Sequence, residues 1–157
     1  AHGDLNGDGY VDLIGTNSSD PDDPGILESS EAVSINTLVE RAEGPVMVWL
    51  NGGGENHWIT LRLKGRMGID GTGTNADGIG ARVYVKTVPD GSGQPLLQVQ
   101  EVRAGSSYLS MDSVSLEFGV GTATVIEEIT IHWPSGRKQV LNDVSVDQVI
   151  GITEPEA

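Results

Sequence analysis

Seven short apolar stretches, at 46–50, 57–63, 79–88, 96–102, 125–133, 138–141 and 146–152, follow one another along this chain, most of them alternating with period two. In a strand, successive side chains point to opposite faces, so such alternation assigns each residue to a core or a solvent side. Ile59, Leu61, Leu63, Val83, Val85, Val99, Ile129, Ile131 and Trp133 are thereby expected inside, with Thr60, Arg62 and Lys64 facing water. Glycine- and proline-bearing breaks separate the stretches, among them Gly52-Gly53-Gly54, Gly119 to Gly121 and Pro134-Ser135-Gly136. Short strands with this punctuation predict an all-β chain, an antiparallel β-sandwich from about residue 46 to 152, preceded by a different amino-terminal segment. Segment 28–41 fits neither period cleanly and allows one short helix.

The amino-terminal segment is distinguished by Asp4-Leu-Asn6-Gly-Asp8-Gly9-Tyr10-Val-Asp12. Oxygen-bearing side chains stand at relative positions 1, 3, 5 and 9 around a glycine turn. Ca²⁺ is a hard cation that takes six to eight oxygens, so a loop that serves it must present alternate residues to one point. Asp4, Asn6, Asp8 and Asp12 are the expected side-chain ligands and Tyr10 the backbone carbonyl. A solvated acidic turn is the competing reading, since Asp, Asn and Gly are common turn formers. An EF-hand would need a bidentate carboxylate at position 12, where this chain has Gly15. The pattern D-x-N-x-D-G-x-x-D followed by Leu13-Ile14 instead resembles a single FG-GAP repeat, in which a calcium loop leads into a strand of an extracellular β-propeller.

Two further oxygen clusters invite the same question. Asp70, Asn75 and Asp77 could form a second cation site, with an Asx-type turn as the alternative, and Asn17, Asp20, Asp22 and Asp23 could form another, although the Pro21 and Pro24 breaks favour an acidic surface loop. The charge is concentrated at the amino end: residues 1–45 carry a net −9 and the remainder −5, for a formal −14. That field opposes a phosphate backbone and argues against nucleic acid as a partner. No run reaches the roughly 18 apolar residues of a membrane span, and no signal-like apolar core stands at the amino end. The chain starts without Met, as a mature product or a fragment would. It has no Cys, no G-x-S-x-G elbow and no H-E-x-x-H, and its three histidines lack zinc spacing. Glu127 and Glu128, neighbours on one stretch, are expected on opposite faces and therefore unable to act as an acid/base pair. A non-enzymatic role is expected.

Asn56-His-Trp58, "NADGIGARVYV" (75–85), "QEVRAGSSYLSMDS" (100–113), "LEFGVG" (116–121), "EEITIHWPSGRKQVL" (127–141) and "VDQVIGITE" (146–154) occur in this order. Together they resemble the ASPIC/UnbV domain, found in bacterial surface proteins and in the cartilage acidic protein of animals, where it follows FG-GAP repeats. The resemblance implies two parts, a calcium-binding segment over 1–55 and an ASPIC/UnbV-like sandwich over 56–157, with Gly54-Glu55-Asn56 as linker. It further implies a secreted, non-catalytic, calcium-associated module at the cell surface or in an extracellular fibre. Other subunits or domains, reached through strand edges, are the expected partners. A calcium-dependent carbohydrate-binding module is the alternative, with Trp49, Trp58 or the Tyr84 and Tyr108 pair as the face for glycans; aromatic residues are only 4% of the chain, too few for a broad stacking platform.

Overall fold

The computed structural model describes residues 1–16, 46–89, 93–106 and 110–156. The acidic cluster at Asn17 to Asp23, the helix allowed within 28–41 and Tyr108 lie outside them. Among the described residues are ten strands: β1 (His2–Gly3), β2 (Asp12–Thr16), β3 (Val46–Trp49), β4 (His57–Lys64), β5 (Arg82–Thr87), β6 (Leu96–Glu101), β7 (Leu116–Gly121), β8 (Val125–His132), β9 (Lys138–Ser145) and β10 (Gln148–Thr153). A 3₁₀ turn covers Arg66–Gly68. The strands form three sheets, ordered β1-β2-β3, β10-β4-β7 and β6-β5-β8-β9. The second and third enclose the core, and the fold is all-β, as the alternation predicts.

Burial follows parity on both inner faces. Ile59 and Leu61 of β4, Val83 and Val85 of β5, and Ile129 and Ile131 of β8 are fully enclosed, with Leu63, Leu116, Phe118, Val120 and Ile152 around them. Trp133 is buried, and its indole N–H donates to the Gln139 side chain at 3.1 Å, which satisfies the one polar atom its burial would orphan. In β8 the register shifts between Lys86 and Thr87 of its partner, so Ile126 and Ile129 both face inward. Glu127 and Glu128 are consequently both exposed, not divided between the two faces as strict alternation requires.

Four further expectations are corrected. Stretch 46–50 does not open the sandwich, since β3 pairs with β2 in the amino-terminal sheet. The sandwich is not wholly antiparallel: β10 runs parallel to β4, from Gln148 opposite Ile59 to Thr153 opposite Lys64. LEFGVG is a strand in its own right and not only a glycine turn. Val99 is 57% exposed, because β6 presents its glutamines inward instead. Gln98 and Gln100 donate through Nε2 to the carbonyls of Gly119 and Glu117 at 2.7 and 2.6 Å. These bonds close the seam between the sheets, where the outer backbone edge of β7 would otherwise hold unpaired acceptors.

The opposite end of the sandwich is tied by one buried carboxylate. Glu154, 1% exposed, accepts hydrogen bonds from the Arg66 and Thr74 amides at 3.1 and 2.7 Å, the Thr74 hydroxyl at 3.1 Å, the Ser135 hydroxyl, and Arg137 Nη1 at 3.1 Å. The group joins the loop after β4, the Trp133-Pro134-Ser135-Gly136 turn and the end of β10. Burial alone would raise its pKa; the Ser135 hydroxyl and the Thr74 and Arg66 amides prevail and bring it to about 2. A depressed pKa contributes stability that is fully present above the ordinary carboxyl range and is lost as pH falls from there toward 2. Glu154→Gln is therefore expected to cost about 2–4 kcal/mol in urea unfolding at pH 7, because donors aimed at a buried anion lose their acceptor. The difference between variant and parent should shrink on acidification to pH 3; a constant difference would show that the charge is irrelevant.

Candidate functional site

The loop at residues 4–12 is built by its own acidic side chains. Asp4 accepts backbone N–H groups from Gly7, Asp8 and Gly9 at 2.7, 3.1 and 2.9 Å. Asn6 Oδ1 accepts the Asp8 N–H at 3.1 Å, Asp8 Oδ1 the Tyr10 N–H at 2.9 Å, and Asp8 Oδ2 the Asn6 amide at 2.8 Å. Gly7 and Gly9 have φ of 78° and 90°, a left-handed backbone that bends the loop this sharply only because no Cβ intervenes.

Asp12 closes the base of the loop. It is 1% exposed and accepts N–H groups from Leu5 and from Asn51, each at 2.8 Å. Those two amides, Asn51 foremost, hold its carboxyl below the ordinary aspartate range. The contact with Asn51 reaches across 39 residues and fastens the loop to the end of β3. Nothing in the loop motif points to Asn51; its place after an apolar stretch and before three glycines was the available signal.

Each carboxylate has four lone-pair positions. Asp4 uses three of them on amides and Asp8 and Asp12 two each, so hard-oxygen capacity remains around the ring. The side chains of Asp4, Asn6 and Asp8 are brought together, with Asp12 beneath them. Among the described residues, no group of three or more His, Asp or Glu side chains is placed to hold a metal ion by itself.

The loop rests on the sandwich. Gly9 lies flat on the Trp58 indole, where an added Cβ would stand 1.9 Å from Cε2. The Tyr10 hydroxyl reaches the carbonyls of Gly54 and Asn56 at 2.7 and 3.1 Å. Trp58 is thus half-buried beneath the loop and is no free stacking plane. Tyr84 belongs to the other sheet and faces outward with Arg82 and Lys86, its ring edge-on to His132 at 5.4 Å. Trp58 and Tyr84 therefore occupy opposite outer faces of the sandwich and cannot form one ligand face.

Asp70 and Asn75 are each committed locally. Asp70 accepts the Thr72 amide and hydroxyl at 3.0 and 2.7 Å and Arg66 Nε at 2.6 Å, and the Thr72 hydroxyl and Arg66 bring its pKa to about 2. Asn75 accepts the Ile79 N–H at 2.8 Å and donates to the Ile79 carbonyl at 2.7 Å, which is turn chemistry. Asp77 is exposed. Gly78, at φ 69° and with an added Cβ placed 2.9 Å from that of Leu63, lets this loop lie against β4.

Because Gly9 combines a left-handed backbone with direct contact to Trp58, Gly9→Val is expected to lift the loop from the sandwich. The measurable outcome is a red-shifted tryptophan emission and faster amide exchange at Leu5 and Asn51, with the β5–β8 core unchanged. Unaltered emission and exchange would refute the docking.

Comparison with known proteins adds one finding. The curated proteins compared with this chain yield no match. A family profile described as "ASPIC and UnbV" matches residues 71–157, just over half of the sequence and the whole of β5 to β10. On that match the chain belongs to the ASPIC/UnbV family.

Proposed function

We propose that this chain is a non-catalytic, extracellular, calcium-binding structural or adhesive module, a building block of a larger surface protein or fibre. The observation that carries the reading is the loop at residues 4–12: an oxygen-rich ring, shaped by left-handed glycines, anchored through Asp12 and docked through Gly9. Asp4, Asn6, Asp8, Asp12 and the Tyr10 carbonyl are the residues that would hold Ca²⁺, and all are hard donors. The ion would supply charge neutralisation, not chemistry. Loop amides already hold each carboxylate in place, and a cation would take up the oxygen lone pairs that these amides leave free. In this reading β1, β2 and β3 are part of an FG-GAP-type propeller blade. Loops of this kind work where free calcium is abundant, which supports a setting outside the cell.

The edges of the amino-terminal sheet support a partner. Val46, Val48, Trp49 and Leu50 are all at least half exposed, and among the described residues β3 is an outer strand of its sheet. An apolar outer strand is suited to pairing with a further strand, from a preceding blade or a neighbouring subunit. Among the described residues no helix is long and apolar enough to cross a membrane. A glycan-binding module is the second reading, and the placement of Trp58 and Tyr84 on opposite faces counts against it.

Calorimetry in calcium and in chelator is the test. A ligand that binds only the folded state adds RT ln(1 + [L]/Kd), about 2.7 kcal/mol at a hundredfold excess over Kd. The parent chain should melt higher in calcium, and Asp8→Ala should melt at one temperature in both. Equal melting of the parent in calcium and chelator would overturn the assignment.

A further inference from the structure

A cleft of about 430 Å³ lies between the amino-terminal segment and the outer face of β4, β7 and β10, with the 111–115 segment along one side. Its floor holds three polar side chains whose ordinary partners are missing. Thr60 is 4% exposed, and its hydroxyl oxygen is enclosed without a hydrogen-bond partner. Glu117 stands opposite Thr60 in the β4–β7 register and is partly buried, and among the described residues no hydrogen-bond donor or ion-pair partner reaches its carboxylate. Arg62, two residues along the same face of β4, enters no ion pair among the described residues. Glu117 and Arg62 are diagonal neighbours, a placement that sets Cβ atoms about 7–8 Å apart and leaves space between opposite charges.

Natural sequences rarely leave a buried hydroxyl unpaired, because the desolvation cost of about 1–3 kcal/mol is then uncompensated. The fully buried Thr87 hydroxyl is also unpaired, but Thr87 faces the sandwich interior. Thr60 differs in lying beside two unpaired charges of opposite sign in a cavity of ligand size. The rest of the lining is mixed: Leu5, Ile14, Met111 and Val149 give it an apolar part, His2, Asp4, Asp112, Ser113 and Ser115 a polar one, and it has no Trp, Tyr or Phe on which a sugar ring could stack.

We propose that this cleft binds a small zwitterion of amino-acid size. Its ammonium group donates to the Glu117 carboxylate and the Thr60 hydroxyl, its carboxylate lies on Arg62, and a short aliphatic substituent rests against Leu5, Ile14 and Val149. The site is separate from the calcium loop, although Asp4 borders both.

The test is an amide-resolved NMR titration of the full chain in calcium-containing buffer with glycine, L-alanine, L-valine and glycine betaine. Isobutylamine and isovalerate, each with one of the two charges, serve as controls. At least one primary amino acid is expected to give saturable shifts at Thr60, Glu117 and Val149, with either single-charge control at least about tenfold weaker, a loss of 1.4 kcal/mol. Thr60→Val should leave the ligand-free melting temperature unchanged or raised, since it removes an unpaired hydroxyl, while weakening the amino acid titration; Glu117→Gln should weaken it further. Three results would each overturn the proposal: no saturable shift from any amino acid, which means a water-filled cleft only; an amine that binds as well as the amino acid; or a Thr60→Val chain that melts lower and titrates unchanged. Because calcium is constant throughout, failure here is distinguishable from failure of the calcium loop.

Discussion

The long-range pairing of β4 is the constraint on which the rest depends. It is the middle strand of its sheet, antiparallel to β7 on one side and parallel to β10 on the other, the latter joining residues nearly ninety positions apart. Yet β4 precedes the region matched by the family profile, which begins at residue 71. Residues 71–157 alone would leave two strands of that sheet without a neighbour and expose the apolar faces of Phe118 and Ile152. The folding unit is therefore larger than the matched segment, and β4 couples it to what comes before. Asp147 strengthens the coupling from the far end: at φ 57° it directs its carboxylate to His57 Nδ1 at 2.7 Å and donates its N–H to the Trp58 carbonyl at 2.6 Å.

Period-two alternation made the core of β4, β5 and β8 legible because those strands are inner members of their sheets, where one face must be dry. It failed at β6 for a physical reason. Val99 and the glutamines compete for the inner face of an edge strand, and the carbonyls of β7 require donors that valine lacks. Side-chain amides at Gln98 and Gln100 meet that need, so the apolar residue turns outward beside Tyr84. Strand direction was equally invisible, since parallel and antiparallel strands have the same period. So was Glu154, whose donors come from two loops some sixty residues apart, Arg66 and Thr74 in one and Ser135 and Arg137 in the other, and converge only in the fold.

The candidate loop shows the same division. Its local chemistry, Asp4, Asn6 and Asp8 folded over left-handed glycines, is written within nine residues and could be read there. What holds it in place is not local. Asp12 depends on Asn51, Tyr10 on Gly54 and Asn56, and Gly9 on Trp58. The stretch 51–58, which reads in sequence as a linker, is in the fold the platform for the loop.

That platform changes what Trp58 can be. An indole at a strand start beside an Asn-rich turn invites a sugar-stacking role, but its face is occupied by the Gly9 backbone. Covering it removes apolar surface from water and also fixes how far the amino-terminal segment stands from β4, β7 and β10. Burial already lifts the Glu117 carboxyl above its ordinary range, with His2 opposing and Asp4 and Asp112 adding to the rise. A cation held by Asp4 would offset part of that repulsion and favour the charged form of Glu117. The loop and the cleft thus share Asp4, which lines the one, shapes the other and contributes to the field at Glu117.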